Sequence, residues 1–575
     1  MNLTRMGDLI QSTPVISGLN EKYPEARITL LVTSDFSEFA ARIPHVDEIK
    51  ILNLRQYIDA FKDKTKNWVD LYHYFEEFLT DLKNQKFDFL VNLSHSKLSA
   101  FMILYLKIKK HCGFGCNKVG DRLANHPWMQ YFGTEPFNRV YNPFNLVEIF
   151  TRSVDALPEN KYVEILSLSE DEKSASDLMV RNNIQEEDFL IGIQAGSSLE
   201  NRRWPSHHFS ELIELLLQDK KVKILIFGVE SEFALAEEIR LPVGNKAQVM
   251  NLAGKTNISQ LAGLVGKCRY LITNDTGTMH IAAALGTKIV GLFFAHAHPF
   301  ETGPYGPEHL IFQARIPCAP CSYGVQCNNI ICVEKVSPQM VYSMIEEHRM
   351  HGDWSFHGDP GDHEELNIFH TFMDEDQRLK LEPLIKHPVR IGDIFSTIYD
   401  PFWLASLEKK SRYSCDVKNI LNTLMRNFDC RDIETSLPML AEKNTVLQDL
   451  KRESEKGMRA TREIVHALSR AGVNLNAIRL IGNAIERIDE EIDRTGNAHP
   501  ELKPISDMFA KRKENFQGDD TLSLANASLL NYKKLKQESG RMGILIEELT
   551  GYLLKSLAEN TQIMHNSISV AVPGE

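Results

Sequence analysis

The sequence predicts an α/β protein of two consecutive units, followed by an all-α bundle. Three observations carry this. Short apolar runs alternate with helix-patterned stretches up to about residue 165, and the alternation restarts after a polar linker at 167–176. From about 391 to 560 the pattern is helical, with few Gly or Pro. Strand–helix alternation implies a parallel sheet covered by helices on both faces. At 575 residues the chain is too long for one core, and ~150 residues per domain suggests three or four units.

Composition narrows the class. The hydrophobic fraction of 43% and charged fraction of 25% are those of a globular protein. A net charge of −12 argues against nonspecific nucleic-acid binding. No run of ~20 apolar residues is present, so no transmembrane helix is expected. The N-terminal stretch lacks a signal-peptide apolar region, and a cytoplasmic location is expected. Nine cysteines, four of them clustered, suit a metal site or thiols better than a disulfide framework.

In chain order, residues 1–4 read as the end of a strand. Arg5-Met6-Gly7-Asp8 follows, then a helix over 9–22 closed by Pro24. Strands are expected at 28–32, 48–52 and 87–93, and helices at 36–42 and 71–84. Asp8 lies at the C-terminal end of the first strand, where open α/β sheets meet their ligands. An ordinary helix-capping aspartate fits that position equally. Gly113-Phe114-Gly115 followed by Gly120 does not fit a dinucleotide fingerprint.

The second unit begins with a strand at 189–194 and the turn Ala195-Gly196-Ser197-Ser198. Asn201-Arg202-Arg203-Trp204-Pro205 leads into a helix near 206. A strand at 223–227 ends at Gly228 before a helix at 230–240, and a further helix spans 258–268. The central stretch is 269–285: a buried strand at 270–273, the turn Asn274-Asp275-Thr276-Gly277, and a helix at 278–285 carrying His280. Strand, polar turn and helix aim free backbone N–H groups at an anion. Thr276 is placed to cap that helix, and Gly277 to let a phosphate approach. Hydroxyls at Ser197 and Ser198 with two nearby arginines extend the phosphate site. A carboxylate after the third strand, Glu230 or Glu232, suits a ribose diol. Solvated loop arginines and an ordinary βα turn remain the competing readings. Two such units in tandem place a cleft between them, the usual place for a ligand.

Together these residues form a set. Arg5-x-Gly7-Asp8 with Pro14, Ala195-Gly196-Ser197-Ser198, Arg202-Arg203-Trp204-Pro205, Asn251-Leu252-Ala253-Gly254 and Asn274-Asp275-Thr276-Gly277-x-x-His280 resemble the ADP-heptose:lipopolysaccharide heptosyltransferases, glycosyltransferase family 9. The resemblance covers roughly residues 1–348. It implies a GT-B fold, two Rossmann-like domains facing a cleft, and metal-independent inverting transfer from a nucleotide-sugar. By resemblance Asp8 is the general base, and Ser197, Ser198 and Arg202 bind phosphate. Glu232 binds ribose, and Asp275, Thr276, Gly277 and His280 contact the diphosphate and sugar. The chemistry is consistent: a desolvated carboxylate assists an acceptor hydroxyl, and a helix N-terminus with a cation meets the leaving diphosphate. No cofactor is expected for catalysis.

Cys318, Cys321, Cys327 and Cys332 follow the second unit. Four thiolates at this spacing suit a structural zinc or iron, and a similar cluster holds iron in autotransporter-modifying members of the family. Thiols or disulfides are the alternative. His296 and His298 sit in a loop that could border the sugar.

The expected domains are 1–165 on the acceptor side, 166–350 on the donor side, a 351–390 linker with a β-hairpin around 366–384, a helical bundle at 391–560 and a disordered tail at 561–575. The bundle shows apolar residues at helical spacing and no catalytic constellation, which suggests docking or oligomerisation. The expected activity is transfer of a sugar from an ADP-sugar to a lipopolysaccharide core acceptor, cytoplasmic or peripheral at the inner face of the membrane. The bundle keeps a flagellar or surface protein acceptor open. A non-catalytic nucleotide-sugar-binding scaffold is the rival from another class.

Overall fold

The computed structural model describes residues 1–55, 68–108, 110–134, 138–244, 246–408, 415–469, 475–518 and 520–569. They form two compact units. The first holds residues 1–129 and 144–385, and the second holds 130–143 and the chain from 386 on.

The first unit has two α/β halves. In the N-terminal half, β1 (Thr29–Thr33) pairs in parallel with β2 (Glu48–Leu52). β3 (Leu90–Asn92) pairs in parallel with β4 (His111–Cys116), which turns antiparallel onto β5 (Arg122–Ala124). Residues 1–3 lie between these ladders. The Asn2 N–H donates to the Leu31 carbonyl at 3.0 Å, and the Leu93 N–H to the Met1 carbonyl at 3.2 Å. The segment takes a strand's place with an incomplete ladder.

The helix expected at 9–22 is two helices, Met6–Gln11 and Thr13–Lys22. Pro14 has no N–H to donate back to Ile10. The hydroxyls of Ser12 and Thr13 fold onto the carbonyls of Leu9 and Ile10 at 2.7 and 2.8 Å, which favours the break.

The C-terminal half carries one continuous sheet. β6 (Phe189–Gln194), β7 (Val222–Phe227), β8 (Val249–Asn251), β9 (Tyr270–Asn274), β10 (Lys288–Phe293) and β11 (Leu310–Ala314) are parallel. Their residues alternate between two buried faces. Ile191, Ile224, Ile226 and Ile272 serve one core, and Leu190, Leu225, Leu271 and Ile289 serve the other. Burial on both faces explains why these strands read as unbroken apolar runs. The second core also takes in Leu9, Ile10 and Val32 of the N-terminal half.

The stretch expected as a linker is part of this sheet. β12 (Leu366–Met373) pairs antiparallel with β11, and β13 (Leu379–Pro383) with β12, so the order is β13-β12-β11-β10-β9-β6-β7-β8. The expected hairpin is present, but both its faces are buried, Leu366 and Ile368 in one core and Phe369, Leu379 and Leu381 in the other, which moves the unit's end from 350 to 385.

Two buried ion pairs join the halves. Arg42 reaches Asp171 and the Ser259 hydroxyl, both at 2.5 Å, and Arg378 reaches Glu148 at 2.8 Å. Burial raises the Asp171 pKa, but Arg42, the Leu168 N–H and Ser259 hold it below the usual value.

The second unit is helical: Ile391–Leu407, Val417–Asn427, Leu437–Leu468, Leu475–Ala498, Lys503–Glu514 and Thr521–Ser569. Residues 130–143, expected in the N-terminal domain, belong here. The Tyr131 ring lies 5.5 Å from Trp403, and Tyr141 lies 6.1 Å from Tyr399. Gly457 admits the Tyr532 ring, since a Cβ there would fall 2.3 Å from it. The last helix runs through 561–569, where a disordered tail was expected, and 570–575 lie outside the described residues. Among the described residues no helix is long and apolar enough to cross a membrane.

Candidate active site

The site forms where the two halves of the first unit touch. The first turns of the helices Met6–Gln11 and Gly277–Ala284 touch. A Cβ on Gly7 would fall 2.7 Å from His280 Cδ2, and one on Gly277 would fall 2.7 Å from Met6 Cε. The glycine expected to admit a phosphate is therefore needed, in this arrangement, to admit Met6. Both positions call for glycine through close approach.

Asp8 sits in the first turn of its helix, half-buried. Its Oδ2 accepts the Arg5 N–H at 3.3 Å. His280 faces it from the other half. The His280 side chain is buried and its Nδ1 has no hydrogen-bond partner among the described residues. Burial lowers its pKa, against the opposing pull of Asp275 and Asp8, which favours the neutral ring.

Thr276 takes the N-cap backbone geometry, but its side chain does not cap. Its hydroxyl lies 3.1 Å from that of Thr273 instead. The first N–H groups of Gly277–Ala284 are thus left without the expected side-chain acceptor.

Arg202 is buried and pairs with the Asp275 carboxylate, while the same nitrogen donates to the Asp275 carbonyl at 2.9 Å. Its Nε has no partner among the described residues. Asp275 Oδ2 also accepts from Thr302 Oγ1 at 3.1 Å. Arg203 donates to the Ser197 carbonyl at 2.8 Å. Ser197 is buried with an unpartnered hydroxyl, whereas Ser198 is exposed, so the expected pair is split. Asn274 braces the group: its side chain accepts from the Trp204 N–H at 3.1 Å and donates to the Ala195 carbonyl at 2.7 Å. Glu232 lies against Gly196 and Gly228 at the ends of β6 and β7, and Glu230 begins the same short turn.

Sequence reasoning missed Gln194, Thr278, Thr302 and His95. The first two carry no motif, and Thr302 lies outside the motif set. His95 follows β3 and stacks on Phe114 at 4.9 Å, with Arg122 4.3 Å from the same Phe114 ring. Although the ring reaches solvent, crowding by protein and Arg122 push its pKa down to about 4, against the pull of Asp8.

The cysteine cluster does not form a ready cage. Cys332 is buried, Cys321 and Cys327 are half-buried, and Cys318 is exposed. Among the described residues, no group of three or more His, Cys, Asp or Glu side chains is arranged to hold a metal ion. Burial raises the Cys332 thiol pKa. The cysteine loop instead braces the site's rim: the Cys321 N–H donates to the Ala295 carbonyl at 2.8 Å, and Tyr323 to Glu301 at 2.8 Å. His296 packs on Tyr323, and His298 is buried as the N-cap of Pro299–Thr302.

Residues 76–329 match the family model described as glycosyltransferase family 9 (heptosyltransferase). Over that segment the chain is similar to glycosyltransferase family 9. That similarity supports glycosyltransferase activity, and the two α/β halves of the first unit meet at one mouth. It is 26% identical over 324 residues to lipooligosaccharide heptosyltransferase 2 of Haemophilus ducreyi, covering 54% of this chain and 86% of that protein. It is 25% identical over 306 residues to lipopolysaccharide heptosyltransferase 2 of Escherichia coli, covering 53% of this chain and 81% of that one. The solved E. coli ADP-heptose lps heptosyltransferase II superposes with a TM-score of 0.46 at 20% identity, over 61% of this chain and 98% of that chain.

Proposed function

We propose that this chain is a family 9 glycosyltransferase that transfers heptose from ADP-heptose to a lipopolysaccharide core acceptor, with inversion and without a catalytic metal. The observation that carries it is Asp8 of one half facing the Asp275–His280 turn of the other. In this reading Asp8 takes the proton of the acceptor hydroxyl as that oxygen attacks the anomeric carbon. Attack opposite the leaving group inverts the centre. The departing diphosphate meets the uncapped N–H groups of Gly277–Ala284, the Ser197 hydroxyl and Arg202. Asp275 and Thr302 hold Arg202 in place, and neutral His280 offers a hydrogen bond to the sugar or phosphate without adding charge. The acceptor would place the enzyme at the cytoplasmic face of the membrane. The cysteine loop is kept as a candidate structural metal site, and no step depends on it.

A protein acceptor is the second reading. The family match ends at residue 329, and a helical unit follows from residue 386. An appended unit of this size suits docking to a protein or to further copies of the chain.

The test is calorimetric titration of the full chain with ADP, UDP, GDP and CMP in the presence of EDTA. Selective ADP binding, with turnover of ADP-heptose that survives EDTA, is the expected result. Preference for another nucleotide would replace the donor. Binding of none would remove the reading.

A further inference from the structure

We propose that Gln194 is a positioning residue for ribose recognition, acting through Glu232. This rests on the donor reading above and goes beyond it by naming the group that aims the carboxylate.

Gln194 is the last residue of β6 and is buried. Both ends of its amide are committed. Nε2 donates to Glu232 Oε2 at 3.1 Å, and Oε1 accepts from Thr278 Oγ1 at 3.1 Å. Glu232 Oε2 also accepts the Val229 N–H at 3.0 Å. Two donors fill the two lone-pair positions of Oε2. Oε1 is left open for donors from a ligand.

The seat of that carboxylate is shaped for it. A Cβ on Gly196 would fall 1.8 Å from Oε1, and one on Gly228 would fall 2.8 Å from Oε2. The carboxylate thus lies over two glycines at the C-terminal ends of adjacent parallel strands, where a nucleotide meets this kind of sheet. A primary amide donates to an acid at one end and accepts from a hydroxyl at the other. Thr278, at its far end, belongs to the first turn of Gly277–Ala284. One side chain therefore ties the group that reads ribose to the turn that reads diphosphate.

The experiment measures dissociation constants of ADP and 2′-deoxy-ADP for the full chain and for Gln194→Ala, Glu232→Ala, the double variant and Gly196→Ala. The wild type is expected to favour ADP about tenfold, the worth of one hydrogen bond to a charged group. Gln194→Ala and Gly196→Ala are each expected to bring that ratio to within about threefold of unity. In the Glu232→Ala background, Gln194→Ala is expected to change the ratio no further, because both act on one contact. Equal weakening of both ligands by Gln194→Ala would mean a packing role and overturn the inference, as would an unchanged ratio. A wild type that binds ADP without ribose preference sinks the inference and spares the donor reading. A wild type that binds neither nucleotide sinks both. If Gln194→Ala does not fold, Gly196→Ala and the isosteric Gln194→Glu carry the same comparison. The glutamate would set a second carboxylate against Glu232 and is expected to abolish the preference.

Discussion

In the C-terminal half of the first unit the strands β6, β7, β9 and β10 run five or six residues each and pair without a break, whereas the N-terminal half splits into two short ladders bridged by residues 1–3. The C-terminal half fills two buried faces with Ile, Leu and Val. The N-terminal half adds a small cluster around Leu31, Leu52, Leu82, Met102 and Leu106, and leaves Trp68, Tyr72, Phe101 and Tyr105 exposed. Two copies of one plan thus differ in how firmly they are specified. The half that would hold the donor is over-determined by burial. The half that would meet the acceptor has apolar surface left over.

The widest separation between the halves is expected in catalysis. Asp8→Asn should cut turnover ~100–10,000-fold and leave the donor dissociation constant within about twofold. Arg202→Ala should do the converse, weakening ADP binding ~10–100-fold, since it removes a cation and frees Asp275 to repel phosphate. Steady-state kinetics beside direct binding distinguishes them, and equal loss of both quantities in Asp8→Asn would contradict a base role.

Stability gives the next contrast. Ile272 in β9 is fully buried, and Ile272→Ala should cost ~2–5 kcal/mol. Ile49 in β2 is only partly buried, and Ile49→Ala should cost about 1 kcal/mol. Chemical denaturation of both variants measures the difference, and similar losses would remove the distinction between the halves.

A third contrast is a pH slope belonging to the C-terminal half. Burial, with Lys288 nearby, pushes the His309 pKa down to about 3. An unfolded histidine titrates near ~6.5. Between these values the unfolded chain binds the proton and the folded one does not, so stability falls as pH is lowered through that window. The slope reaches ~1.4 kcal/mol per pH unit at most. His309→Gln should flatten the stability profile between about pH 6 and 4, and an unaltered profile would assign the slope elsewhere.

The same contrast governs what the sequence made legible. β6 and β2 lie at their expected bounds, and β7 and β9 within a residue of them. Their buried runs are local signals. β3 is shorter than expected because only Leu90–Asn92 finds a partner in β4, a fact of pairing rather than of propensity. Asp8, Arg202 and the 275–280 turn were visible as motif residues. Gln194 and Thr278 were not, because their roles exist only once β6, the 230–232 turn and the Gly277–Ala284 helix are brought together. The displacement of 130–143 into the helical unit was hidden for the same reason. Tyr131 and Tyr141 look like core residues of any domain until Trp403 and Tyr399 arrive from over 250 positions away.

The β12–β13 hairpin has a practical consequence for where this chain can be divided. A polypeptide ended near 350 would lose both strands and leave β11 as a raw edge, with Ile311 and Phe312 no longer covered. Such an edge is a template for intermolecular strand addition and precipitation. One ended after Ile385 keeps the antiparallel strands in place and retains Ile385, which is itself buried in the core. A division at 385, some 55 residues beyond the last residue of the family match at 329, therefore keeps the sheet whole, although it strips the 130–143 segment of Trp403 and Tyr399.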